Sequence, residues 1–111
     1  MSKSRNTLEK TNIRYLIFRE GNTWYGAALE LNIVEDASDP REAFVLLMEA
    51  VYGYVEGARR IKGGEDVLNQ EPDPEYEALW QRPFSSRRRI DIFATGTLNI
   101  PSSRKLVPAA A

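Results

Sequence analysis

The chain has 111 residues, no cysteine, no histidine and a formal net charge of −1. That length suits one domain with its own core, and the two missing residue types exclude a disulfide framework, a thiolate zinc site, a cysteine nucleophile and histidine acid–base chemistry. The small net charge hides a division: residues 15–81 hold five Lys/Arg against fourteen Asp/Glu, a balance of −9, while the two flanks hold ten against two, a balance of +8. An acidic middle repels phosphate backbones and suits a basic protein partner.

Met1 to Lys10 is polar and without periodicity, and residues 1–11 read as a flexible leader. It has no apolar segment for a signal peptide, and no later run approaches the roughly 20 residues a membrane span needs. The expectation is a soluble cytoplasmic protein with no membrane contact. From Ile13 the texture changes to β-branched and aromatic residues through Glu20; Gly21-Asn22 then supplies a tight turn, and strand character resumes from Thr23 to Leu31. This pattern predicts a β-hairpin. Of the two faces of its second strand, Tyr25, Ala27, Leu29 and Leu31 are taken as the core set, with small Ala27 admitting a helix and Glu30 turned to water. That choice places Trp24 outside beside Gly26, on a patch of the kind interfaces use.

Asn32 to Ala37 predicts a short third strand around Ile33 and Val34. Ser38 to Arg60 then predicts a long helix: Asp39 can cap it, Pro40 fits its first position, and Glu42 stands where a capping-box acid belongs. Ala43, Leu47, Ala50, Val51, Tyr54 and Ala58 share one face, which is one side of a core built against a sheet. Lys62-Gly63-Gly64 stops the helix, and Arg59, Arg60 and Lys62 complement the negative end of its dipole. Glu65 to Glu71 predicts a helical turn. Asp73-Pro74 repeats the cap grammar before a second, short helix, in which Tyr76, Leu79 and Trp80 form one apolar face. After the basic joint Arg87 to Arg89, taken as solvated rather than nucleic-acid-binding, Ile90 to Ile100 reads as a strand broken at Gly96.

The expected fold is α+β: an antiparallel sheet of three or four strands on one long helix, with a short second helix and a C-terminal strand. The domain is placed at residues 12–83, and residues 84–111 form a strand and tail suited to an oligomerisation arm.

Gly21, Trp24-Tyr25, Ala27, Asp39 and Glu42-Ala43, followed by the apolar helix to Val55-Glu56, resemble the N-terminal domain of HicB-family antitoxins, over Arg14 to about Arg60. The resemblance implies a β-β-β-α-β domain with a partial RNase-H-like fold that masks a basic ribonuclease toxin. Two features depart from the family. Glu30-Leu31-Asn32-Ile33 stands where a connection with Pro and Gly is usual, and Ile90 to Ala111 lacks the periodicity of a DNA-binding helical module, so a stand-alone form is expected.

The functional expectation is a non-enzymatic binding module, with Trp24, Glu30, Glu35 and Asp36 as contacts for a small basic partner and no catalytic, cofactor or metal site. A homo-oligomeric accessory domain is the alternative. A metal-dependent nuclease built on Glu20, Glu30, Asp36 and Glu49 is remote, because those positions do not converge on one phosphate.

Overall fold

The computed structural model describes residues 5–62, 64–82 and 90–101. Four strands, β1 (Thr11–Glu20), β2 (Thr23–Ala28), β3 (Ile33–Ala37) and β4 (Ile90–Ile100), make one antiparallel sheet in the order β3-β2-β1-β4. Between β3 and β4 the chain forms α1 (Pro40–Arg60), a 3-10 turn at Glu65–Leu68, and α2 (Pro74–Gln81). The fold is α+β, as expected.

Local signals account for the element boundaries. Gly21 turns the hairpin at φ +67°, where a side chain would be strained. The Asp39 carboxylate accepts from the Glu42 N–H at 2.9 Å, and Glu42 Oε1 reaches back to the Ser38 N–H at 3.1 Å, closing the cap of α1. Asp73 caps α2 by accepting from the Glu75 N–H at 2.8 Å. In the β2–β3 connection, Asn32 takes φ +53°, which asparagine tolerates better than most residues, so no glycine is needed there.

The two faces of the sheet are both apolar, and they carry different helices. Ile13, Ile17 and Ala28 pack with Ala43, Leu47, Val51, Val55 and Ala58 of α1 in the main core. Leu16, Phe18, Ala27 and Leu29 form a second, smaller core with Leu79 of α2, flanked by Tyr25, Tyr76 and Trp80. The expected core set is therefore corrected. Tyr25, Ala27 and Leu29 face α2 rather than α1, and only Leu31, which lies past the end of β2 and out of its alternation, joins the main core. The reason is Gly26. A Cβ built there would lie 3.0 Å from the Ala43 carbonyl oxygen and 3.1 Å from Leu47 Cβ, so α1 sits closer to the glycine than it could to an alanine without shifting by a few tenths of an ångström.

Three further expectations change. Residues 5–10 are anchored: buried Asn6 donates from Nδ2 to the Leu68 carbonyl at 2.8 Å, its N–H donates to Asn69 Oδ1 at 2.8 Å, and its own Oδ1 accepts from the Asn12 N–H at 2.8 Å. Arg59 does more than balance a helix dipole, donating to the carbonyls of Pro101 at 2.6 Å and Ile100 at 3.0 Å and so fastening the end of β4. Nor does Gly96 break β4. It pairs with Tyr15, whose ring covers it so closely that a Cβ would lie 2.8 Å from Tyr15 Cε1. The irregularity is a bulge elsewhere: Ile17 pairs with Ala94 and Phe18 with Ile92, which leaves Phe93 as the extra residue. Because β4 pairs with β1 from end to end, the described part of residues 84–111 is continuous with the domain's sheet. The Arg87 to Arg89 joint lies outside the described residues.

Gly26→Ala is expected to destabilise the fold by about 1–3 kcal/mol, since the clash is with helix backbone that cannot swing aside. Gly53→Ala, in the same helix with open space around it, should instead stabilise by about 0.5–1 kcal/mol. Urea unfolding of the two variants measures both, and changes of the same sign would contradict the close approach at Gly26.

Candidate partner-binding edge

The four candidate contact residues lie in three different environments. Glu30 belongs to the interior scaffold. Its Oε1 accepts from the Arg14 N–H at 2.8 Å and its Oε2 accepts from Arg14 Nε at 2.6 Å, while the other end of the guanidinium makes two 2.8 Å bonds to Glu77 of α2. The Arg14 guanidinium also stands 5.1 Å over the Trp80 ring. Arg14 is held firmly protonated, first by the Glu77 hydrogen bond and further by Glu30, against a desolvation cost. This bridge matters because α2 has a single fully buried residue, Leu79, against five on α1. One buried leucine contributes about 1.5–3 kcal/mol, too little to order eight residues alone. Glu30, expected in water at a partner surface, instead holds the Arg14 guanidinium that ties β1 to α2.

Trp24 stands on the α1 side at the hairpin end, half-buried against the main core. Phe93 meets its ring edge-on at 6.0 Å, and the Arg19 guanidinium, itself paired with Asp91, lies 5.5 Å from the ring centroid. Phe93 is 55% exposed, so the aromatic surface open to solvent here belongs mainly to a residue that sequence reasoning did not single out. Alternation along β4 puts Phe93 in the exposed set with Asp91 and Thr95, but the face it takes, beside Trp24, depends on the bulge.

Glu35 and Asp36 are adjacent on β3, an outer strand of the sheet. Alternation sends their side chains to opposite faces: Glu35, opposite Gly26, lies on the α1 face, and Asp36, opposite Tyr25, on the α2 face. The backbone registers also say which groups point outward. The Leu29 N–H donates to the Arg14 carbonyl at 2.9 Å, so even-numbered residues of β1 address β2. Following the pairing outward, Ile33, Glu35 and Ala37 address β2, and Val34 and Asp36 turn their N–H and C=O groups away from the sheet. No cation among the described residues forms an ion pair with Glu35 or Asp36. The outward backbone of β3 therefore lies between two carboxylates without an ion-pair partner among the described residues, on a strand only five residues long.

The acids of the nuclease alternative are scattered: Glu20 ends β1, Glu30 is bound to Arg14, Asp36 is on the outer strand, and Glu49 is exposed on α1. Among the described residues no group of three or more acidic side chains could hold a metal ion. No helix among them is long and apolar enough to cross a membrane. Comparison with protein-family models, with curated proteins and with solved structures finds no match to this chain.

Arg14→Ala should cost about 2–3 kcal/mol, because it strands two carboxylates that are each no more than a quarter exposed. Glu77→Gln, which keeps an acceptor for the guanidinium, should cost about 1 kcal/mol. Urea unfolding reads both, and equal losses would contradict the charge bridge. Burial first, and then Asp73, raises the pKa of the Tyr76 phenol above the usual tyrosine value. The fold favours the neutral phenol, so this contribution is whole below about pH 10 and is lost as pH rises through the raised value. Tyr76→Phe should consequently lose less stability than wild type above about pH 10, as read by unfolding across an alkaline series.

Proposed function

We propose that this protein is a non-enzymatic binding domain of the HicB antitoxin type, whose β3 edge receives a small basic protein. The observation that carries the reading is the outward backbone of Val34 and Asp36 lying between the carboxylates of Glu35 and Asp36, which pair with no cation among the described residues. Such an edge discriminates by charge. A second copy of the same strand would bring like charges together, whereas a cationic segment could add to the edge, take the outward hydrogen bonds and neutralise the acids. The −9 balance of residues 15–81 supplies a long-range field of the same sign, which speeds encounter with a basic partner.

The resemblance supports this reading through the order of its parts. Gly21, Trp24-Tyr25, Ala27, Asp39 and Glu42-Ala43 fall on the turn, β2 and the start of α1. The element order up to α1 is the β-β-β-α that the resemblance implies, with the 3-10 turn and α2 then placed before β4. Trp24, opposite Ala37 of β3, lies on the same sheet face as Glu35 and offers apolar contact beside the charged edge. Glu30 takes no direct part, because both of its oxygens are committed to Arg14.

Co-purification of the tagged full chain from its native cell, followed by mass spectrometry and reconstitution of the captured pair, tests the proposal. A small basic protein should bind, with affinity falling steeply as salt rises. The Glu35→Lys/Asp36→Lys double variant should bind it at least about tenfold more weakly. Absence of a basic partner, or equal binding by the double variant, would overturn the reading.

A further inference from the structure

The other outer strand has the opposite character. β4 is eleven residues long, and its stretch from Ala94 to Ile100 contains no charge and no proline. Natural sheets protect long edges with charges, prolines, bulges or shortness. Here β3 has the short length and the charges, and the one bulge of β4, at Phe93, leaves residues 94–100 regular. The direction of the backbone groups follows from the same register argument. Tyr15 and Ile13 of β1 address β4, so Gly96 and Leu98 address them in return, and Thr95, Thr97 and Asn99 turn their N–H and C=O groups outward. All three are exposed.

We infer that β4 pairs antiparallel with β4 of a second copy about a two-fold axis at Thr97, joining two domains into one continuous eight-stranded sheet. The choice of axis rests on the order of side chains. With Thr97 opposite Thr97 of the partner subunit, Thr95 stands opposite Asn99, and each such pair exchanges backbone hydrogen bonds between groups that otherwise face solvent. On the α1 face the same register sets Leu98 opposite Gly96 and Ile100 opposite Ala94, large against small at each step. A two-fold interface must be self-complementary, and this stretch satisfies that demand in size, polarity and hydrogen bonding together. An axis at Thr95 would instead place the Phe93 bulge in the ladder and set Ala94 against Gly96, small against small. The pairing leaves β3 free, so it is independent of the partner proposed for that edge, and it holds two acidic edges at the far ends of the joined sheet.

The absence of cysteine makes the register directly testable. In the full chain, Thr97→Cys places its single thiol against its own copy, with Cα atoms about 5.5 Å apart, within the disulfide range. It should form a disulfide dimer on mild oxidation, whereas Thr95→Cys and Asn99→Cys, each displaced from its copy by four residue positions, should not. Light scattering of wild type should give twice the 12.6 kDa chain mass. Thr97→Lys, which sets two cations face to face on the axis, should give the single chain mass with its circular dichroism spectrum and melting temperature retained. A monomeric wild type at high micromolar concentration, a Thr97→Lys dimer, or cross-linking equally fast at all three cysteine positions would overturn the inference.

Discussion

The contact of α1 with Gly26 organises this molecule. Both faces of the β1–β2 hairpin are apolar, so hydrophobic pattern alone leaves the side of the long helix undecided. Only one face has a residue without a side chain at its centre, and there the Ala43 carbonyl and Leu47 come within 3.0–3.1 Å of where a Cβ would be. Once α1 takes that face, Leu16, Phe18, Ala27 and Leu29 are left on the other, and the chain must supply a second cover. A short helix with one buried leucine is what it has, and the Arg14 bridge to Glu30 and Glu77 makes up for the small apolar contact. Glu30 is drawn inward by that need, away from any partner.

The same arrangement sorts the two sheet edges. β3 is brief and acidic, and the Asp39 cap of α1 follows it directly, so its outward N–H and C=O groups sit in a field that welcomes cations and rejects a copy of itself. β4 is long and neutral through its regular half, and it is fastened at one end by Arg59 and beneath by Tyr15 over Gly96. Under the roles proposed for them, charge rather than shape separates the edge for a different protein from the edge for the same one.

Much of the fold was legible in the sequence because its signals are local. The Asp39-Pro40-Glu42 start of α1, the Asp73-Pro74 start of α2 and the Gly21 turn each use residues within a few positions of one another, and each appears as read. What was not legible depends on residues far apart in the chain. Arg14 finds Glu77 across 63 positions, Asn6 finds Leu68 across 62, and Arg19 finds Asp91 across 72. A polar leader residue such as Asn6 gives no hint that it will be buried, since its partners are backbone groups of a turn formed elsewhere. For the candidate site, Glu35 and Asp36 stand out in the sequence by charge, but their division between opposite faces follows from the strand's alternation once β3 is paired with β2. Phe93 follows the alternation of β4 in being exposed, but its place beside Trp24 depends on a bulge, which no periodicity announces.

The central claim is that the two edges differ, one engaged by a copy of the chain and one left open for a cationic partner. Residue-resolved amide hydrogen exchange on the free full chain, at high micromolar concentration, reads both edges at once. The account predicts slow exchange at the outward amides of Thr95, Thr97 and Asn99 and fast exchange at those of Val34 and Asp36, which slows when a basic partner is added. Fast exchange at all three β4 amides, or protection of Val34 and Asp36 in the free chain, would contradict it.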